Sequence, residues 1–548
     1  MRGLTRTKTL LYLGFSGLIL SAYLINLGNA PLTEQSEARY AEVAWEMAMT
    51  GDFLTPRYNF IKHFHKPPLY YWSLAACYRL FGVTDLAARL PCTLAALLCL
   101  GLTGWLAHRE LGMDRRQALL AVGMLAGSPF FWEMARVSVT DMFVTLFVLI
   151  SIAAFWRLVR EPDCKVAWWL FWLANGLNFL TKGPVGPALV LAAIIPYCLL
   201  QQVTLRHLRA LPGIFVASGI CLPWYVWAIQ SNPGLLAYFL KFQTLDRVLT
   251  TVHGRDGPLW YYLPVLLGGF LPWTPWLVVR IISLIKGRAL KPPDQFLVFW
   301  VVLPTLFFSL MGSKLPPYVL PVFPALAILT ARGVVDLGGF QLRWPALIFV
   351  GAGAFAAAQS SLSIVPRLNR YNFELTWAAT LLLLVGMTGC WWFGKVGWTK
   401  TSLAVVATML CLELVAGIAY PKISHRTAKP LADAILAMAS VDFEVAMYRR
   451  YLFGLPLYVH QQVIHVQHER ETEFESGESY RTLVRPSLGE YLKEFRRGDK
   501  DRFLIVARPD WAELRTILHE PIVFSDERYL LFHHSQVETQ GARESRQK

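Results

Sequence analysis

V-T-D-M-F-V-T-L-F-V-L-I-S-I-A-A-F-W, residues 139–156, carries one acid and no other charge across its length. A helix of that length rises about 27 Å, close to the roughly 30 Å hydrocarbon core of a bilayer. Similar runs centre near 10–28, 88–107, 118–132, 166–181, 184–200 and 213–230. They continue near 259–279, 295–311, 315–331, 344–364, 374–393 and 401–420. The expected fold is therefore an all-α polytopic membrane protein with about thirteen transmembrane helices. Composition agrees: 55% of the 548 residues are hydrophobic and 16% charged, against roughly 25% charged in soluble domains. The 32 prolines are tolerated in membrane helices when neighbours satisfy the freed backbone groups.

The eight cysteines (Cys77, Cys92, Cys99, Cys164, Cys198, Cys221, Cys390, Cys411) are scattered over the spans and their flanks. Their spacing suggests neither a disulfide framework nor a metal site, so they read as small core residues. The net charge of +15 reads as topology, and no nucleic-acid partner is expected. Basic residues sit in alternate short connections: Arg109, Arg115 and Arg116; Arg157, Arg160 and Lys165; Arg206 and Arg209; Arg280, Lys286, Arg288 and Lys291; Lys395 and Lys400. Arg2, Arg6 and Lys8 belong with them. Short basic loops stay in the cytoplasm, which places the N-terminus inside and, with an odd count, the C-terminus outside. A signal peptide ending near Asn29-Ala30 is the alternative for the first span.

Residues 1–420 thus form the membrane domain, with an external loop at about 30–87. Residues 421–548 are expected to form a small α/β domain outside. An amphipathic helix is predicted at 425–439, with strands at 442–447, 453–459, 502–507 and 528–533. Asp510 to His519 reads as a helix started by Pro509. Arg543 to Lys548 reads as a frayed tail.

Polar motifs gather on the side opposite the basic loops. Thr33 to Trp72 contains S-E-A-R-Y-A-E (36–42) and H-K-P-P-L-Y-Y-W (65–72). The same side takes Arg136 and Asp141 in A-R-V-S-V-T-D, and Lys182 in L-T-K-G-P. It also takes loop 231–258, with Asp246, Arg247, His253, Arg255 and Asp256, and Lys314 and Tyr318 in G-S-K-L-P-P-Y. This one-sided gathering marks an active site at the outer membrane boundary. Arg39, Lys66, Lys182, Arg247 and Lys314 suit a phosphate. A carboxylate among them can act as base, as nucleophile or as partner for an amine. Tyr70, Tyr71, Trp72, Trp260, Tyr261 and Tyr262 could line an isoprenoid groove or stack on a sugar; the plain alternative is an interfacial aromatic belt.

The chain S-E-A-R-Y-A-E-V-A-W-E-M, G-D-F-L-T-P-R, H-K-P-P-L-Y-Y-W and F-G-V-T-D-L-A-A-R-L-P resembles the first external loop of polyprenyl-phosphate-sugar glycosyltransferases. These include bacterial 4-amino-4-deoxy-L-arabinose transferases of lipid A and, more distantly, dolichyl-phosphate-mannose-protein mannosyltransferases. The resemblance continues through L-T-K-G-P, G-P-L-W-Y-Y-L-P…L-P-W and G-S-K-L-P-P-Y, covering roughly residues 30–330. It implies a membrane enzyme of the GT-C type in the bacterial inner membrane, with its site and C-terminal domain in the periplasm. A sugar, best matched by 4-amino-4-deoxy-L-arabinose, would pass from undecaprenyl phosphate to lipid A or another envelope acceptor.

By resemblance, Lys66 meets the carrier phosphate, with Arg39, Arg247, Lys182 and Lys314 as further cations. Glu37 or Glu34 supplies the catalytic carboxylate, and Tyr40, Tyr70, Asp141 and Tyr318 line the substrate. Ser36 stands where the family has aspartate, and His65 where an acid precedes the lysine. The histidine expected about four residues before Arg247 is absent (Gln243, Thr244). Family-type metal ligands are therefore not matched; no cofactor is expected, though a divalent metal stays open, since His63 and His65 alternate in a weak ligand pattern. Transfer of another lipid-linked sugar to a different glycan, lipid or protein is the alternative reading. A transporter is more distant, because the charges lie at one side rather than at the midplane.

Overall fold

The computed structural model describes residues 2–245, 256–287, 290–364, 372–423, 426–467, 483–497 and 500–534. Packing divides the chain into two units: Met1–Asn29 with Arg89–Ile423, and Ala30–Ala88 with Ser424–Lys548.

The first unit is helical and apolar. Among the described residues of the chain, eight helices are long and apolar enough to cross a membrane: Asp85–Glu110, Asp141–Arg160, Leu205–Ser231, Pro292–Leu310, Pro316–Asp336, Gln341–Leu362, Leu375–Val396 and Trp398–Ala419. Two further apolar stretches are broken. Arg115–Ala126 and Pro129–Ala135 meet at 66°, and Tyr262–Gly269 and Thr274–Lys286 at 116°. If each broken pair is one span the number is ten, and Leu13–Leu24 and Val185–Gln201 are shorter apolar helices. Among the described residues, length and composition thus give eight to ten of the expected thirteen spans. Runs 118–132 and 259–279 each read as one span in the sequence. The first breaks at Gly127-Ser128-Pro129 and the second at Phe270-Leu271-Pro272-Trp273, where proline cannot continue the hydrogen-bond ladder.

Local signals set other ends. Asp114 accepts from the Arg116 and Gln117 amides, and the Gln117 side chain accepts from the Asp114 amide, a complete capping box that starts Arg115–Ala126. Glycine is required where helices touch. A Cβ on Gly176 would stand 2.9 Å from the Ala217 carbonyl oxygen, so Lys165–Lys182 and Ala210–Ser231 approach backbone to backbone.

The second unit joins the 30–88 segment to the tail. Its 30–88 part holds helices Glu37–Thr50 and Leu69–Phe81. Between them β1 (Arg57–Tyr58) and β2 (Ile61–Lys62) form an antiparallel hairpin. Asn59 and Phe60 turn it with φ of 49° and 63°, the two left-handed residues of a tight two-residue turn. The tail contributes β3 (Phe443–Tyr448), β4 (Val463–Val466), β5 (Val484–Arg485), β6 (Asp501–Ala507), β7 (Ile522–Ser525) and β8 (Tyr529–His534). Their order is β5-β4-β3-β6-β8-β7, parallel from β5 to β6 and antiparallel beyond.

Alternate residues feed two cores. Ala446, Tyr448, Leu504 and Val506 pack with Tyr491, Phe495 and Leu514. Val445, Met447, Phe503 and Ile505 pack with Leu431, Ile435, Leu455 and Val459. With both faces covered, β6 is buried throughout, as parallel strands require.

Strands expected at 442–447, 502–507 and 528–533 correspond to β3, β6 and β8. The helices predicted at 425–439 and 510–519 are Lys429–Met438 and Arg508–Leu514. The run 453–459 is not a strand. It forms the short helix Leu455–Val459, with Gly454 before it and Pro456 in its first turn, because proline has no N–H to give a central ladder. The expected frayed tail, Arg543 to Lys548, lies outside the described residues.

Candidate active site

The first cluster begins on helix Glu37–Thr50, which starts after Gln35 at φ 71° and stops at Gly51 at φ 75°. Glu37 is fully buried, and its Oε2 accepts from the Thr33 amide at 3.1 Å and the Thr33 hydroxyl at 2.9 Å. These contacts fix the carboxylate's direction. Arg39 donates from Nη2 to the Gln35 carbonyl at 2.5 Å and lies 4.8 Å over the Phe453 ring. Tyr40 meets Tyr70 edge-on with ring centroids 5.4 Å apart, and lies 5.9 Å from Tyr71.

Glu34 is engaged differently. Its carboxylate accepts from the backbone amides of Phe453 at 2.5 Å and Gly454 at 3.1 Å, and its own amide donates to the Arg426 carbonyl. It therefore fastens the polar segment to the tail. Burial outweighs those amides and pushes the Glu34 carboxyl up to about 7. Tyr458 adds to the same junction: its hydroxyl donates to Asp85 Oδ1 at 2.6 Å and accepts from the Leu32 amide at 2.8 Å.

His63 is buried on the same polar segment. Burial, then the Arg39 and Lys66 charges, lower its imidazole to about 3, so it stays neutral at ordinary pH. Arg39 and Lys66, two of the five expected phosphate-binding cations, thus both bear on one buried ring, which lies 4.0 Å, centroid to centroid, from the His65 ring.

Two further acids were not expected from the sequence. Glu42 and Glu46, one turn apart, are buried and accept the amides of the hairpin turn: Asn59 to Glu42 Oε1 at 2.8 Å and Phe60 to Glu46 Oε1 at 2.7 Å. Burial and mutual repulsion raise Glu42, and burial raises Glu46, so the pair retains a proton. Their i,i+4 spacing was the available signal, but on an amphipathic helix it reads equally as a solvated face. Among the described residues no group of three or more His, Cys, Asp or Glu is arranged to hold a metal ion.

The second cluster belongs to the helical unit. Lys182, ending helix Lys165–Lys182, donates to Asp141 Oδ1 at 2.6 Å; Asp141 begins helix Asp141–Arg160. Acid at an N-terminus and base at a C-terminus each suit the helix dipole. Lys182 Nζ also lies 4.6 Å over the Tyr318 ring. Lys314 is buried and donates to the Met311 carbonyl at 2.8 Å, and the next amide, Leu315, donates to the Tyr262 hydroxyl. Arg136, grouped with these by sequence, instead holds the carbonyls of Ala22, Tyr23 and Ile25. Arg247, Asp246, His253 and Arg255 lie outside the described residues.

Residues 65–227 match the model of the dolichyl-phosphate-mannose-protein mannosyltransferase family. The chain is 34% identical over 338 residues to the undecaprenyl phosphate-alpha-4-amino-4-deoxy-L-arabinose arabinosyl transferase of Aeromonas hydrophila, with 61% of each chain covered. It therefore spans about 61% of that relative's length. Against the protein of the same name from Pectobacterium carotovorum it is 31% identical over 397 residues, covering 70% of this chain and 71% of that one. The fold is similar to the crystal structure of ArnT from Cupriavidus metallidurans bound to undecaprenyl phosphate, with a TM-score of 0.84 at 24% identity over 96% of this chain and 98% of that one. The chain belongs to the undecaprenyl phosphate-α-4-amino-4-deoxy-L-arabinose arabinosyl transferase family.

Proposed function

We propose that this protein is a membrane glycosyltransferase that moves 4-amino-4-deoxy-L-arabinose from undecaprenyl phosphate to lipid A at the periplasmic face of the inner membrane. The reading is carried by the polar segment itself, where buried Glu37 has its carboxylate aimed by the Thr33 amide and hydroxyl, on the same helix as Arg39 and Tyr40. The names of the relatives support the sugar and the carrier.

The reaction is a single displacement. An acceptor oxygen forms a bond to the anomeric carbon while the bond from that carbon to the carrier phosphate breaks, with inversion. The leaving phosphate gains charge, which fixed cations stabilise most in the transition state. Lys66, Arg39 and Arg247 are assigned to that phosphate, with Lys182 and Lys314 as further cations. Lys182 shares its charge with Asp141, so it orients rather than neutralises. An ionised lipid A phosphate needs no strong base, and Glu37 then orients it or binds the sugar's amine; with a hydroxyl acceptor Glu37 takes the proton. Glu34, fastened by the tail amides, is a positioning residue. Tyr40, Tyr70, Asp141 and Tyr318 are assigned to the sugar and lipid.

Mass spectrometry of lipid A from cells with and without the gene tests the reading. A pentosamine present only with the gene is expected. Unchanged lipid A, with an altered glycan or protein elsewhere in the envelope, would move the acceptor to that molecule.

A further inference from the structure

The helical unit contains a second polar site. Helix Pro292–Leu310 runs roughly 28 Å at 1.5 Å per residue and leads at its C-terminal end to Met311 and Lys314. At its N-terminal end lies a cavity of about 450 Å³. The last turns of Thr274–Lys286 and Phe323–Gly333 and the first turn of Arg115–Ala126 also reach it. Buried Asp294 anchors the wall, its Oδ1 accepting from Arg280 Nη2 at 2.9 Å and Arg332 Nε at 2.8 Å. Arg332 Nη1 donates to the Leu111 carbonyl at 3.1 Å. One carboxylate thus orders two guanidinium planes, and the Arg280 Nε is buried without a hydrogen-bond partner among the described residues. Exposed Lys291 and Ser283 stand at the rim, and the only other acid lining the cavity among the described residues, Asp336, is exposed.

We propose that this cavity binds the phosphate of an anionic phospholipid, at the opposite end of the bundle from Lys314. Ordered arginines match a phosphate diester's paired oxygens, and basic pockets between membrane helices are suited to lipid headgroups. The apolar half of the ligand is also provided for. Ile281 and Ile285 are exposed on the helix that carries Arg280 and Ser283, and acyl chains lie along them. A soluble phosphate would gain nothing from that stripe. The cavity is separate from the residues assigned to transfer and takes a structural lipid, not the donor.

Native mass spectrometry and thermal unfolding of the full chain in neutral detergent test the proposal. The probes are phosphatidylglycerol, phosphatidylethanolamine and inorganic phosphate. Phosphatidylglycerol should be retained and raise the unfolding midpoint, and the other two should not. Lys291→Ala should weaken its binding roughly fivefold, and Ser283→Glu should abolish it. Both positions are exposed, so the buried Asp294 triad remains in place. Lys286→Ala, on the same helix but outside the cavity, should leave binding unchanged. Equal loss in Lys286→Ala, equal retention of phosphatidylethanolamine, or a folded Ser283→Glu protein that keeps phosphatidylglycerol would overturn the proposal. Displacement of the lipid by millimolar inorganic phosphate would assign the cavity to free phosphate and overturn the lipid assignment.

Discussion

At the scale of single residues, the two acids of the polar segment have different surroundings and should fail differently. Glu34 holds the Phe453 amide with Oε2 and the Gly454 amide with Oε1, and a glutamine keeps one of those two acceptors. Glu37→Gln should lower turnover by roughly 100-fold or more, Glu34→Gln by less than about tenfold, and the double variant should be inactive. Assays of correctly inserted variants decide, and an active double variant would remove both carboxylates from the mechanism. Lys66→Ala removes a contact strengthened in the transition state and should cost about 30- to 1000-fold in rate. Near-normal turnover there would end the phosphate assignment.

His63 makes a separate statement about pH. Its folded value is about 3 against an ordinary 6.5, so the unfolded chain binds the extra proton between those values. Stability from the neutral ring is therefore present above pH 6.5 and lost as pH falls toward 3. Glu34, raised from 4.5 to about 7, runs the other way: its contribution is present below 4.5 and lost as pH rises through 7. The difference between the parent and His63→Asn isolates the histidine. The variant's unfolding midpoint should fall less steeply between pH 6 and 4, and parallel curves would show that the ring does not titrate with unfolding.

At the scale of elements, the hairpin β1-β2 is clasped to the tail by one side chain. Asn59 Nδ2 donates to the Val463 carbonyl at 2.8 Å, and the Val463 amide donates to Asn59 Oδ1 at 3.0 Å. The position also needs φ 49°, which asparagine tolerates better than alanine. Asn59→Ala should destabilise this unit by about 2–4 kcal/mol, read as a lower thermal midpoint and faster proteolysis of the tail. An unchanged midpoint would show that the sheet holds the hairpin without the clasp. The sheet explains why the tail can bear this load: β3 and β6 lie at its centre with both faces packed.

At the scale of the whole molecule, the proposed reaction requires the polar segment and the tail to face the periplasm. A reporter joined after residue 420 should be active only if it works in the periplasm, because basic short loops alternate with motif-bearing ones. A cytoplasmic signal would reverse the sides and remove a flipped lipid-linked sugar as the donor. Within the helical unit, Asp141–Arg160 and Pro316–Asp336 are mostly enclosed while Leu375–Val396 is mostly exposed. Substitutions of large apolar residues by alanine on the first two should be felt as packing loss, and on the last as near neutral, read as thermal unfolding midpoints in detergent.

The membrane class and strands β3, β6 and β8 were legible without coordinates. Run length, charge placement and alternating burial are local properties, and the bilayer and the sheet impose them on consecutive residues. The broken spans at 127–129 and 270–273 were not legible, because a proline within a uniformly apolar run is compatible with either a tolerated kink or a sharp turn. The run 453–459 misled because its apolar content suits a strand; Pro456 was a local signal against a central strand, and packing with the helix Lys429–Met438 core accompanies the helical turn. The role of Glu34 depended on amides 419 positions away, and the charge of Lys182 on an acid 41 positions away. Such pairings are decided by which distant segments the folded chain brings within hydrogen-bond reach, and no local periodicity carries that information.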